Sequence, residues 1–438
     1  MATQGLKFPI QKRVPQLTAS IRVGGEEVIH HIADQWRRLC DETASAPFHR
    51  PEWVQTYLRI FEPGNQLVLF TVHSAKGLVA VLPLLRKRSW YAGIPVVKMA
   101  GAANVHSVRF EIVHKKGIAG EAAVPLIWQL LKSMSGWDVL ELPVFPQHGA
   151  CEKLMALAGL DGFNTVTFLA QDSPILHMQR DGNGHLTWLA DTSRHFRHEL
   201  RRLERLLEKE TGDKTKLICH DEPHAETLHK FYEMEAAGWK GAEGSAINCD
   251  KATRSFYDSI AREATSGGYF RLHALEVNGR MTAGAFSVVT DDCFFPMKIT
   301  YDESLRRGAP GLLLLNGIMQ ECAENGVGQL FFGGGKDSYK TSWTPETLPH
   351  FNGFVFNTTL RAQMAFQVRT KLLSPLGKYR RGILEKWRTV KSQGFDRSAA
   401  ESTDKNHPPP GGISLSKPGS LDRKKENTHA NEHDLLSI

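Results

Sequence analysis

A chain of 438 residues, 41% hydrophobic and 23% charged, reads as ordinary globular material with room for two or three domains. No apolar run approaches the roughly 18 residues of a membrane span, and the start, MATQGLKFPIQKRVPQ, has no apolar core after its charges, so neither a spanning helix nor a secretory leader is expected. The net charge of +7 points to an anionic partner, and six scattered cysteines without a Cys-x-x-Cys pair point to reduced thiols in a cytoplasmic protein, with no metal site expected.

In chain order, LVLFTVHSAKGLVAVLPLL reads as a strand, a Gly turn and a second strand; AAVPLIWQLLKSMSGWDVLELP follows as an apolar-faced helix, a turn and a strand. The pattern breaks near Asp172 to Asp191, at DGNGH. Beyond it, FRLHALEVNGRMTAGAFSVV repeats the hairpin about 204 residues later, and GLLLLNGIMQECAENGVGQLFFGG repeats the helix, turn and strand about 190 residues on. Identity between the copies is slight, but element order and turn positions match, so two copies of one α/β unit are expected. The expected divisions are 1–185, 186–392 and a tail, 393–438. The tail, rich in Pro, Gly, Ser and charge, holds too little apolar surface to offset ordering entropy and is expected to be disordered.

Between the copies, SRHFRHELRRLERLLEKETG places Phe196, Leu200, Leu203 and Leu207 on one stripe of a helix and Arg194, Arg197, Arg201 and Arg205 on the opposite one. Ser193 is the expected N-cap and Gly212 the stop. Five arginines in twelve residues with few acids form either a solvated face or contacts to phosphate or carboxylate, for which Arg197 and Arg201 are the substrate-binding candidates. In HDEPH, His220 and His224 flank two acids without a third ligand, and a polar loop is the expectation. YDESLRRGAPGLLLL sets two arginines and a turn of small residues ahead of a helix, where outward-pointing amides and the helix dipole favour an anion; a loop with Pro at the first helical turn is the alternative. FGGGKDS lacks the first Gly of a P-loop and has Asp337 where Ser or Thr should follow the Lys, so a P-loop is excluded. No nucleophile-elbow, metalloprotease or dinucleotide-binding motif is present.

The succession SRHFRHELRRLERLLE, YEMEAAGWKG, MKITYDESLRRGAPGLLLLNGIMQ and SYKTSW resembles the CelD-like and BioF-like acetyltransferases of the GNAT superfamily over residues 190–345, and more weakly over 47–185. The resemblance implies tandem GNAT-like α/β domains, mixed sheets flanked by helices, arranged as in the Fem aminoacyl transferases. It implies acyl transfer from acetyl-CoA or another acyl-CoA, as co-substrate and without metal, to an amine or hydroxyl of a sugar, envelope or polysaccharide precursor. In such proteins a basic Gly-containing turn receives the pyrophosphate; here that turn would be Arg306, Arg307, Gly308, Ala309 and Gly311, although the superfamily's usual Gln/Arg-x-x-Gly-x-Gly/Ala spacing is not met. Acyl transfer needs a deprotonated nucleophile, an oxyanion donor and an acid for the leaving thiolate. The resemblance offers Tyr339 and Lys340 as acid and charge stabiliser, with Asp302 or Glu303 as base or acceptor-orienting group. Tyr301 stands as a second acid and Trp239 as part of the acceptor groove. The alternatives are strand packing for Tyr301, a turn cap for Asp302 and a helix-end core aromatic for Trp239. Relatives often carry an acid in the strand where this chain has Phe331.

The expected partner is a small-molecule or saccharide acceptor. A peripheral contact with a membrane or with envelope-synthesis enzymes is a further expectation, through KLLSPLGKYRRGILEKWR, and nucleic acid is not expected. Two alternatives remain: Fem-like transfer from aminoacyl-tRNA, and a non-catalytic module that binds nucleic acid or a membrane surface.

Overall fold

The computed structural model describes residues 16–178, 194–222, 224–335 and 338–373. Ser193, Pro223, Lys336, Asp337, nearly all of the basic 371–388 segment and the whole expected tail lie outside the described residues. Contacts divide the chain into a large unit, Met1–Trp90 with Pro95–Ala362, and a small one, Tyr91–Ile94 with Gln363–Ile438. The sheet core and the cavities discussed below belong to the large unit.

Among the described residues thirteen strands form one sheet: β1 Leu17–Gly24, β2 Gln66–Ser74, β3 Gly77–Tyr91, β4 Ile94–Gly101, β5 Val113–His114, β6 Val139–Pro146, β7 Asn164–His177, β8 Lys216–His220, β9 Phe270–Val277, β10 Arg280–Val289, β11 Cys293–Tyr301, β12 Gln329–Phe331 and β13 Thr347–Phe356. Their order is β1-β2-β3-β4-β6-β13-β7-β12-β11-β10-β9-β8, with β5 paired to β3. The expected duplication is present. The β2–β3 hairpin has its counterpart in β9–β10, where Asn278 and Gly279, at φ +51° and +71°, supply the two left-handed residues that a tight hairpin turn requires. In each half one strand pair is parallel, β4 with β6 and β11 with β12. A parallel pair cannot be closed by a hairpin, so a helix crosses over in each case: α3 (Ile118–Ser133) and α8 (Pro310–Glu324).

The halves are tied by main-chain hydrogen bonds. β13, from the second half, inserts between β6 and β7 of the first, registering Thr347↔Pro174 through Phe356↔Asn164 with β7 and His350↔Pro146 through Phe356↔Val139 with β6. The far end of β7 pairs in turn with β12. One hydrophobic core also spans both halves. Helix α2 (Pro51–Phe61) sets Trp53 edge-to-face on Phe256 of α7 (Lys251–Ser266), with ring centroids 5.4 Å apart.

The remaining long helices are α1 (Ala33–Thr43), α4 (Ala150–Leu160), α5 (Arg194–Thr211) and α6 (Ala225–Ala237). On α5, Leu200, Leu203 and Leu207 are buried as the stripe predicts, and Phe196 is half-buried, edge-on to Trp343 at 4.8 Å. Gly212 ends the helix at φ +79°. Arg194, Arg201 and Arg205 lie exposed on the other side. Among the described residues no helix is long and apolar enough to cross a membrane.

Three histidines are held neutral inside the fold. Burial lowers His49 to about 3, and His106 and His350 to about 4, with Arg109 adding repulsion on His49 and His350. The unfolded chain takes up these protons near the ordinary histidine pKa of about 6.5, whereas the folded one resists until pH 3–4. Stability is therefore unaffected by these groups above about pH 6.5 and falls as pH drops from there toward 4. A series of thermal melts should show this decline. In the His106→Phe variant, which preserves the stack on Phe61 and Phe256, part of the slope should disappear.

Candidate active site

The site begins where a strand pairing stops. β11 and β12 pair only at Cys293↔Gln329 and Phe294↔Leu330. Past Phe294, β11 diverges from β12 and continues to Tyr301, and the gap is a cavity of about 450 Å³. Its walls are Pro296 to Ile299 and Tyr301 of β11, the start of α8, Phe332 after β12, Tyr339 and Lys340, and Trp239 and Lys240.

The stretch before α8 folds locally for clear reasons. Asp302 accepts a hydrogen bond from the Ser304 amide at 3.0 Å and starts a 3-10 helix, Glu303–Gly308. Ala309 adopts a left-handed conformation, φ +46° and ψ +53°, reversing the chain, and Pro310 occupies the first turn of α8, where its missing N–H costs nothing. Ala309, Gly311 and Leu312 thus bring the positive end of a 15-residue helix to the cavity wall, with Arg306 beside it.

The two glycines of this turn do different things. A Cβ on Gly308 would lie 2.9 Å from Leu207 Cβ, so this glycine lets the turn pack on α5. A Cβ on Gly311 would meet only Tyr301, at 3.4 Å, and the residue borders the cavity. Of the five residues expected to receive phosphate, Arg306, Ala309 and Gly311 line the cavity, whereas Gly308 is buried against the helix and Arg307 is exposed without lining it.

Tyr301, Tyr339, Lys340 and Trp239 are brought together. Trp239 is 52% exposed and Tyr339 41%, so neither is a core aromatic. Lys340 is buried, and its Nζ donates to the Gly334 carbonyl at 2.5 Å. That carbonyl belongs to the glycine loop excluded as a P-loop, whose Gly334 has no room for a Cβ beside Gln171. Asp302 is placed otherwise. Its carboxylate caps the 3-10 turn, accepts from the Ser304 hydroxyl at 2.6 Å and pairs with Arg280, and it faces a separate cavity of about 600 Å³. These contacts are those of the turn cap that stood as the alternative for this residue. Glu303 accepts from the Trp239 amide at 2.7 Å, fixing the short helix Trp239–Ala242 that carries Trp239 and Lys240. Arg197 and Arg201 line neither cavity.

Sequence reasoning missed a buried charge cluster behind the cavity. The Glu235 side chain is completely buried; its Oε1 accepts from Lys240 Nζ at 3.2 Å and lies 3.9 Å from Lys298 Nζ, and its Oε2 accepts from the Ile247 amide at 2.9 Å. Lys240 also donates to the Ile299 carbonyl at 2.7 Å. Burial lowers its pKa while Glu235 opposes the shift. Both residues sit in YEMEAAGWKG, where the five-residue spacing across a helix end conceals the pairing. Among the described residues, four that carry cations, Lys240, Lys298, Arg306 and Lys340, line the cavity, and none of the lining residues carries a carboxylate. Such a cavity suits an elongated anionic ligand.

Residues 194–341 match the model of the acetyltransferase (GNAT) domain. No curated protein matches the sequence. Among solved structures, FemX superposes with a TM-score of 0.53 at 11% identity, covering 76% of this chain and 98% of its own. The C-terminal domain of a lysylphosphatidylglycerol synthetase from Agrobacterium fabrum gives a TM-score of 0.46 at 14% identity over 80% and 98%. A tandem GNAT protein from clavulanic acid biosynthesis gives 0.41 at 13% identity over 78% and 100%. The likeness to FemX is one of fold.

Gly308→Val should destabilise the fold by about 2 kcal/mol through overpacking on Leu207, read by chemical denaturation. Lys240→Met leaves Glu235 buried with only the more distant Lys298 as counter-charge and should cost about 3 kcal/mol. A Lys240→Met variant as stable as the parent would show that the cluster contributes little to folding.

Proposed function

We propose that the chain is a GNAT-type acyltransferase that moves an acetyl or other acyl group from acyl-CoA to an amine or hydroxyl of a sugar, envelope or polysaccharide precursor. The observation that carries this reading is the cation-lined cavity at the N-terminus of α8. Exposed helix amides and Arg306 suit the pyrophosphate. The gap between β11 and β12 would admit the pantetheine arm, leaving the thioester beside Tyr339, Lys340 and Tyr301.

In that pose the acceptor's lone pair attacks the thioester carbonyl. The oxyanion forms next to the Lys340 ammonium, and collapse of the tetrahedral species breaks the C–S bond. Tyr339 or Tyr301 then supplies the proton to the departing thiolate, and the proton given up by the acceptor nitrogen or oxygen restores the phenol. Lys340 is fixed for this role by Gly334. Asp302, held by Arg280 and the turn, serves to shape the Tyr301 end of β11. Trp239, exposed at the rim, offers a flat apolar surface on which a sugar ring can stack.

A second reading, transfer from aminoacyl-tRNA as in Fem proteins, draws support from the exposed Arg194, Arg201 and Arg205, which lie off the cavity and have room for a polyanion.

Calorimetric titration of acetyl-CoA into the full chain tests the first reading. Micromolar binding is expected, lost in Gly311→Trp, whose indole would fill the cavity from a position that touches only Tyr301; the variant's folding stability should stay within about 1 kcal/mol of the parent. Failure of the intact chain to bind acetyl-CoA would transfer the assignment to aminoacyl-tRNA. Once an acceptor is found, Tyr339→Phe and Lys340→Met should each lower kcat by about 100-fold while leaving acetyl-CoA affinity within a few-fold.

A further inference from the structure

A second cluster of chemically capable side chains lies at the opposite end of α8. Cys219 of β8 and His273 of β9 are directly opposed in the antiparallel register, so their side chains share one face of the sheet. Helix α8 crosses that face. It comes close because Gly317 has no side chain, since a Cβ there would stand 3.1 Å from Leu217. Glu321 follows Gly317 by four residues on the same helix face, and Cys219 follows Leu217 by two on the same strand face. The close approach at Gly317 therefore lowers Glu321 onto Cys219 and His273. One potential ligand atom from each of the three residues lies within 4.8 Å of the others.

The pair of β residues is not otherwise satisfied. His273 is 1% exposed, and its only hydrogen-bond contact is a long one, from Nε2 to Glu321 Oε1 at 3.3 Å. Its Nδ1 has no partner. Buried imidazoles normally find partners for both nitrogens, so this ring is underused by the protein itself. Cys219 stays open to solvent, which gives an ion a way in. Arg271, two residues before His273, is the cation nearby in sequence; its Nη1 donates to the Gly268 and Phe270 carbonyls, at 3.3 and 2.5 Å.

We propose that Cys219, His273 and Glu321 form a binding site for a borderline-soft divalent ion of the Zn²⁺ class. Thiolate, imidazole and carboxylate are the three donor types zinc accepts in tetrahedral sites, with water available for the fourth position on the open Cys219 side. Zinc–ligand bonds of about 2.0–2.3 Å put neighbouring ligand atoms roughly 3.3–3.8 Å apart, so side-chain movements of at most about 1.5 Å close the present spacing. Binding displaces the thiol proton to solvent and leaves the imidazole neutral, and the thiolate and carboxylate together neutralise the ion's two charges. Ten residues of helix, roughly 15 Å, separate Glu321 from Gly311, so the ion fastens α8 to β8 and β9 and takes no part in chemistry at the cavity. No metal is expected from the sequence, because the three ligands are 54 and 48 residues apart in the chain and form no motif. The site does not depend on the acyltransfer reading.

The test uses the full chain, treated with EDTA, desalted and kept reduced. Calorimetric titration with ZnCl₂ should show one saturable equivalent and a raised melting temperature. Co²⁺ in place of zinc should give a near-ultraviolet thiolate-to-metal absorption band. Cys219→Ser, at a solvent-exposed position, should abolish that band, Glu321→Gln should weaken zinc binding at least about tenfold, and His224→Ala in the neighbouring HDEPH loop should change neither. No saturable zinc binding by the folded parent would overturn the proposal, as would binding that survives both Cys219→Ser and Glu321→Gln unchanged or is lost in His224→Ala. Circular dichroism of each variant separates loss of the site from loss of the fold.

Discussion

Everything at the candidate site depends on one constraint, the short parallel pairing of β11 with β12. Two strands that run in the same direction must be joined by a crossover, and the crossover here is α8. Two register pairs hold the strands together before they part. That separation creates a cavity in the middle of a sheet, where unpaired backbone would ordinarily be costly. The same crossover delivers the N-terminus of α8 to its edge. The left-handed Ala309 and the capped 3-10 turn are the local devices that make the helix begin at that point.

Charge then decides what such a cavity accepts. Four cations face it while the neighbouring acids are committed elsewhere: Glu235 to Lys240 and the Ile247 amide, Glu303 to the Trp239 amide, Asp302 to Arg280 and the turn. A fully buried carboxylate such as Glu235 is tolerable only with hydrogen bonds and a counter-charge, and both are present. Its pairing with Lys240 also positions that cation along the cavity wall. Framework and ligand electrostatics are thus met by one set of side chains.

Much of the framework was legible in the sequence, because hairpins, amphipathic helices and turn glycines are written within a few residues. The β2–β3 and β9–β10 repeat, the Leu200–Leu203–Leu207 stripe and the stop at Gly212 all follow from local periodicity. The turn before α8 was legible too, but the functions of its glycines were not. Gly308 and Gly311 look alike in LRRGAPG, and only the approach of Leu207 distinguishes a packing glycine from one bordering open space. The insertion of β13 between β6 and β7 is a pairing across some 180 residues with no local signature. Arg197 and Arg201 lie off the cavity for a related reason: an arginine-rich face is evident from sequence, but the direction it faces is not.

The two halves share an architecture and differ in how they treat the equivalent helix start. In the first half, Lys115 of the KKGIAG turn is taken up by Glu42 at 2.8 Å. A Cβ on Gly120 would overlap the Lys115 carbonyl, so the chain folds back over the beginning of α3. The adjoining cavity, about 310 Å³, has Glu121 and Glu152 in its wall. An anionic ligand would meet two carboxylates and Lys153 there, whereas in the second half, among the described residues, it meets four cations and no carboxylate along a larger cavity. The two halves therefore differ in charge and in access to the helix end while sharing the crossover. The first half keeps the geometry because β7 and β13 require it: removing its sheet would strip β13 of both neighbours and β12 of one. Through β7 the first half supplies the neighbour that fixes β12, the strand from which β11 parts.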